Sequence, residues 1–289
     1  MRPADSRSTL VCRQAKACTA AQGGGARSGR FDGGSHGRGQ GERIVRRLKT
    51  LIHLHTDYSY DSNISLDLLD RFVKREGLDC VAITDHNSIE GAIAFRDRSG
   101  VRVIVGEEVS TTDGHLIGLF LQTRVRPGLS ARDTAIAIRD QGGIVLLPHP
   151  FVRLFGCGVR DVSYDLIGLL DAVEVNNAQN LLGGPDRAAR RFAAQFDLPG
   201  FVGADSHMAM SIAPCYQWMP DFDGPTGFLT ALRSAELTPG RHPLAFFAAT
   251  GYRLLRHYAG LSLGGEFGLN AACRPCAAPR LASVRPLQA

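Results

Sequence analysis

Short apolar and β-branched runs begin at residue 51 and alternate with stretches whose apolar positions recur every three to four residues. The runs 51–55, 80–84, 101–107, 115–121, 144–147, 172–176 and 201–204 have the length and composition of buried strands. Among the intervening stretches, 66–75 places Leu68, Leu69, Phe72 and Val73 on one helical face behind Ser65, a suitable N-cap. Residues 131–141 and 187–196 show the same period, and Gly142 and Gly143 end the first of them. Near-continuous apolar strands alternating with helices predict parallel pairing covered by helices, as a doubly wound sheet or a closed barrel. In both architectures chemistry sits at the carboxyl ends of the strands.

Composition narrows the class. With 289 residues, 44% hydrophobic and 21% charged, collagen, coiled coil and wholesale disorder are excluded. The longest apolar run, 244–249, has six residues where a membrane helix needs ~20, so no membrane partner is expected. The net charge of +5 is unevenly spread: residues 1–47 carry ten Lys/Arg against three Asp/Glu, residues 48–260 carry 20 against 24, and residues 261–289 carry three against one. A mildly acidic body argues against stable duplex nucleic-acid binding. The Gly/Arg-rich residues 1–47 and the low-complexity residues 261–289 read as disordered tails around a domain at 48–260. Seven cysteines, an odd number without an apolar leader, point to free thiols and a cytoplasmic location. Cys273 and Cys276 lack a second pair at zinc-ribbon spacing and read as tail composition.

The histidines carry the chemistry. Of nine, six stand at a predicted strand end: His53, His55, His86, His149 and His207 at or just past the close of one, and His115 at the opening of another. Asp61, Glu108 and Asp205 accompany them. In His53-Leu54-His55 the alternation of a strand sends both imidazoles to one side, and Asp205-Ser206-His207 repeats the spacing with a carboxylate. Nitrogen and carboxylate donors without Cys suit divalent transition metals and disfavour a purely structural zinc site. So many convergent polar groups would be costly to bury without a partner. No P-loop and no Gly-x-Ser-x-Gly elbow around Ser206 offers a rival chemistry. Asn176, Asn177 and Asn180 either line the pocket or cap the following helix.

The segments HLHTDYSYDSNISLDLL, GLDCVAITDHNSIEGA, GEEVSTTDGHLIGLFL, LPHPF and GADSHMAMSIA resemble, in order, the motifs of the PHP (polymerase and histidinol phosphatase) family of metal-dependent phosphoesterases. The resemblance implies an α/β fold, a distorted (β/α)7 TIM-like barrel, with a trinuclear centre of divalent ions, Mn, Zn or Fe. It assigns His53, His55, Glu108 and Asp205 to a first ion, and Glu108, as a bridge, with His115 and His149 to a second. Asp61, His86 and His207 would hold the third. Asp61 stands one residue beyond the usual spacing, with Asp57 as its competitor, and strand alternation admits only one of Glu107 and Glu108; the family pattern favours Glu108.

The activity so implied is hydrolysis of a phosphate ester of a small metabolite, nucleotide or short oligonucleotide end, by a hydroxide bridging two ions. Arg153, four residues after His149, is the expected phosphate-gripping guanidinium, with Arg160 in reserve. Asp205 and a bound water are the candidates for the leaving-group proton. Two alternatives stand beside this reading. A non-catalytic PHP-like interaction module would be expected to have lost ligands, and all nine positions are filled here. An amidohydrolase-type enzyme on the same barrel would use a carbamylated Lys, and beyond residue 48 the chain has only Lys49 and Lys74.

Overall fold

The computed structural model describes residues 46–152, 157–159, 162–209, 212 and 214–248. Apart from Arg46 and Arg47, the two expected tails lie outside the described residues, as do Arg153, Arg160, Cys273 and Cys276. Each predicted strand is present: β1 (Arg47–Leu54), β2 (Cys80–Ile83), β3 (Arg102–Ser110), β4 (His115–Leu119), β5 (Ile144–Leu147), β6 (Ala172–Asn177) and β7 (Gly200–Ser206). Because β1 pairs with both β2 and β7, the seven close into a barrel.

Helices α1 (Leu66–Glu76), α2 (Glu90–Arg96), α3 (Ala131–Asp140), α4 (Tyr164–Ile167) and α5 (Gly184–Gln195) fall between the strands. Local signals set the ends of α1: the Ser65 hydroxyl accepts the Leu68 N–H, and Gly77 closes the helix at φ 62°, a conformation that favours glycine. Residues at alternate positions divide between two apolar clusters. Leu51, Val81, Ile83 and Val145 pack outward with Leu69 and Phe72 of α1 and Phe95 of α2. Leu48, Cys80, Ile104, Ile144, Ala172 and Phe201, near the amino ends of their strands, fill the interior with Phe228 of α6 (Gly224–Arg233). Helix α6 therefore plugs the amino end of the barrel, and full burial of Phe228 contributes roughly 2–3 kcal/mol. Polar side chains are left to the carboxyl end. Among the described residues no helix is long and apolar enough to cross a membrane.

Two features depart from the sequence pattern. The barrel is mixed, not parallel throughout, because β4 runs antiparallel to both β3 and β5. Only residues 111–114 separate β3 from β4, whereas a parallel crossover needs a dozen or more, so a hairpin is the only connection available. In addition, β8 (Tyr216–Pro220) pairs antiparallel with the first half of β1, and the three-residue β9 (Glu236–Thr238) pairs with β8. In β8 the buried Gln217 interrupts the apolar pattern: its Oε1 accepts the Val202 N–H at 2.6 Å, and its Nε2 donates to the Thr50 carbonyl at 3.3 Å. The side chain bridges β7 and β1, and its polarity hides the strand from a reading based on hydrophobic runs.

Candidate metal centre

The carboxyl end of β1 is where the barrel turns from apolar to polar. Ile52 pairs with Ala82 and Leu54 with Ile83, so two residues of β1 oppose one of β2. At this bulge His53 adopts φ 65°. Without it His53 would follow Leu51 outward; with it, His53 turns inward beside Ile52, and His55 follows two residues on. The reversed β4 solves a second problem of placement. His115 opens its strand, but Ser110 at the end of β3 pairs with His115, so it reaches the same rim as the other ligands.

Glu108 on β3 is the hub. Its Oε2 lies 3.2 Å from His53 Nε2, 3.1 Å from His55 Nε2 and 3.6 Å from His86 Nδ1. Its Oε1 lies 2.9 Å from His115 Nδ1 and 2.8 Å from His149 Nε2. Asp205 Oδ1 stands 3.4–3.6 Å from His53, His55 and His207. Asp61 Oδ2 is 3.4 Å from both His86 Nε2 and His207 Nε2. All nine side chains singled out in the sequence thus converge, whereas Asp57 is exposed. Glu107 faces away, with Oε2 accepting the Val125 N–H at 2.8 Å.

The loops at the mouth are tied to one another. Asp85 accepts both the backbone N–H and the hydroxyl of Thr56, joining the loop after β2 to the loop after β1. Ser59 Oγ accepts the His86 N–H at 2.8 Å and lies 3.3 Å from His55 Nδ1, which leaves His55 Nε2 turned toward Glu108. The Asn63 N–H reaches the His207 carbonyl at 3.0 Å.

Four overlapping sets of donors lie within 4.8 Å of one another: His53, His55 and Glu108; His86, Glu108 and His115; His53, His149 and Asp205; and His55, Asp61, His86 and His207. The pattern of the PHP domain matches residues 52–183, and that of the PHP-associated segment matches residues 185–237. The uncharacterized protein MJ1587 of Methanocaldococcus jannaschii is 37% identical over 144 residues, 45% of this chain and 82% of that protein. The chain belongs to the PHP-domain family. Solved structures share the fold of this PHP domain. A two-domain protein from Bacteroides vulgatus, described as containing a predicted PHP-like metal-dependent phosphoesterase, superposes at a TM-score of 0.55 with 16% identity, over 68% of this chain and 66% of that one. The lesion-specific endonuclease EndoQ of Pyrococcus furiosus gives 0.50 and 15%, over 68% of this chain and 58% of its own.

Electrostatics suits the PHP-domain centre to cations. Burial opposes charge on Glu108, yet His86, His53 and His115 hold its carboxyl well below the usual range. Asp205 and Asp61 are likewise depressed against their burial, Asp205 by His53 and His207, Asp61 by His207 and His86. In return, and again against burial, Asp61 and Asp205 raise His207 to about 9, and Asp205, Glu174 and Glu108 raise His53 well above its ordinary value. His55 and His115 go the other way: His55 is pushed down to about 3 by burial and by His207 and His86, and His115 is lowered by burial, His86 and His149. Three carboxylates are thus balanced by protons on imidazoles, at positions where cations could replace them. Among the described residues, buried Asp61 Oδ1, His86 Nδ1 and His149 Nδ1 have no hydrogen-bond partner, as donors awaiting an ion would. The donor set therefore fits divalent metal.

Several residues of the site escaped the sequence reading. Glu174 on β6 contacts His53 Nδ1 at 2.8 Å. Gln179 Nε2 donates to the Asp205 carbonyl at 2.7 Å and lies 3.3 Å from His207 Nδ1. Of the three asparagines, Asn177 faces the site, while Asn176 and Asn180 donate to Asp186 in the first turn of α5. A Glu flanked by Val173 and Val175 in a predicted strand was the available signal for Glu174.

Proposed function

We propose that this centre holds three divalent cations, Mn, Zn or Fe, and that the protein hydrolyses a phosphate ester of a small metabolite, nucleotide or short oligonucleotide end. The observation that carries the reading is the crowding of five imidazoles around the two oxygens of one buried carboxylate, Glu108, with His207, Asp61 and Asp205 completing the ligand set. Cations bound there would supply Lewis acidity and lower the pKa of water from 15.7 toward ~7.

The chain's own residues set where the ester enters and how it is held. The Asp61, His115 and His207 side chains are 23%, 15% and 15% exposed, while His53, His55 and Glu108 are sealed. The ester therefore approaches over the first three. Tyr60 stacks on His86 with ring centroids 5.2 Å apart and places an aromatic face at that mouth, which suits a nucleoside leaving group. Asp205, held as a carboxylate by His53 and His207 against its burial and fixed by Asn177 at 2.9 Å, is equipped to bind a cation rather than to supply the leaving-group proton. Arg153 is the proposed phosphate anchor; its replacement by Ala is expected to raise KM or lower kcat/KM while metal content stays unchanged.

The test is an assay of the metal-loaded protein under Mn, Zn or Fe with p-nitrophenyl phosphate, mononucleotides, dinucleotides, and amide and lactone substrates. Turnover of phosphate esters is expected. Turnover of amides or lactones alone would overturn the assignment in favour of an amidohydrolase.

A further inference from the structure

We infer that Glu174 is the positioning residue for one ligand group, His53, His149 and Asp205, and holds those three in backbone conformations they would not otherwise keep. The inference rests on the metal-binding reading above. Glu174 is 1% exposed and accepts hydrogen bonds on both oxygens. Its Oε1 accepts from His53 Nδ1 at 2.8 Å. Its Oε2 accepts the backbone N–H of His149 and, at 2.9 Å, Asn177 Nδ2. The same Asn177 nitrogen donates to Asp205 Oδ2 at 2.9 Å, and Asn177 Oδ1 accepts the Gln179 N–H at 2.8 Å, which fixes the orientation of the amide.

A second, independent observation picks out the same three residues. Of the nine candidate ligands, only His53, His149 and Asp205 have positive φ, at 65°, 27° and 43°. Non-glycine residues persist there only when their surroundings hold them. The strands bend to match: the pairing of β1 shifts register around His53, and that of β6 shifts between Glu174 and Asn176. Gly203 on β7 leaves the room required, since a Cβ there would stand 1.5 Å from Glu174 Oε1 and 3.2 Å from His53 Nδ1. The donors of His53, His149 and Asp205 lie within 4.8 Å of one another, as one ion needs.

The chemistry requires a carboxylate. Three N–H donors point at Glu174 from two sides, and only a carboxylate accepts on both oxygens. By accepting at Nδ1 it keeps the proton there and leaves His53 Nε2 free for a cation. Glutamine would set its NH2 against either the His53 Nδ1–H or the His149 N–H. In the first case the imidazole would move its proton to Nε2 and lose the ligating lone pair; in the second the His149 turn would relax.

The test is a Mn2+ titration of the metal-free full-length chain by calorimetry, with bound metal counted after desalting and the fold checked by circular dichroism. Glu174→Gln is expected to weaken one class of sites about 10–100-fold and to leave the sites built on Asp61, His86 and His207 at wild-type affinity. Asn177→Ala, which removes the link to Asp205 and one donor to Glu174 Oε2 but leaves the His53 and His149 N–H groups on Glu174, is expected to weaken the same class by less, and it decides the matter if Glu174→Gln does not fold. Unchanged affinities, or uniform weakening of every class, would overturn the inference. A wild-type chain that takes up no Mn2+ would instead overturn the metal-binding reading beneath it.

Discussion

Two adjacent glutamates on β3 face opposite ways, and Glu107→Gln tests that division quantitatively. Glu107 is fully buried, and among the described residues Oε1 has no hydrogen-bond partner and Oε2 accepts only the Val125 N–H. Burial raises its pKa to about 7, against an ordinary 4.5, and Arg124 offsets only part of the rise. Below pH 4.5 the carboxyl is protonated in folded and unfolded chains alike, and the folded state is at full advantage. Between 4.5 and 7 the unfolded chain ionises while the folded one does not, so stability falls as pH rises. At 1.36 kcal/mol per pH unit the loss is complete above pH 7 at about 3 kcal/mol. Glutamine cannot ionise. The difference in unfolding free energy between variant and wild type should therefore move by about 3 kcal/mol in favour of Glu107→Gln from pH 4.5 to 8. Urea unfolding of the metal-free proteins, followed by fluorescence of Trp218, the single tryptophan, measures that difference and cancels the pH dependence of the shared cluster. Two stability curves that stay parallel across this range would refute a buried, proton-bearing Glu107, as would loss of metal binding in the variant.

Three other outcomes are expected. Glu108→Gln removes the carboxylate that five imidazoles face; bound metal should fall by at least two equivalents and phosphoesterase turnover by ~10²-fold or more, as read by elemental analysis and kinetics. Because His207 is raised to about 9 and His53 is also raised, metal uptake at pH 7 should expel protons and strengthen with rising pH; calorimetry in buffers of different ionisation enthalpy checks this, and a buffer-independent heat would contradict it. Gly91→Ala places a Cβ 2.1 Å from Asp85 Oδ2 and 2.5 Å from Thr56 Oγ1; the bonds between those residues should break, with a thermal-melt loss of roughly 1–3 kcal/mol and weakened metal binding through His86.

The seven barrel strands and helices α1, α3 and α5 were legible because their signals are local. The caps of α1, Ser65 and Gly77, act within four residues, and the apolar runs of β2 and β5 announce burial on both faces by composition alone. The nine candidate ligands could be picked out for a similar reason, since each sits in or beside a short motif at a strand end. Less visible was anything that depends on a partner distant in sequence. The direction of β4 turns on a hairpin, β8 on a buried glutamine that bridges two other strands, and the role of Glu174 on a glycine 29 positions further along the chain.

Residue type and spacing along the chain were enough to pick out the nine candidate ligands and to place them at or near strand ends, because hydrophobic period and donor identity are properties of neighbours. Which way those groups point was decided only by the closed barrel. A two-residue spacing brings His53 and His55 to one side of a strand, but the side is chosen by the bulge at His53, where Glu174 of β6 reaches over Gly203 of the intervening β7 to bond the imidazole. Glu108 and Glu107 differ in no local signal; packing against the other strands turns one carboxylate to the imidazoles and the other to the outer wall. Orientation of this kind is a sum over contacts between residues far apart in sequence, and it exists only once the chain has closed.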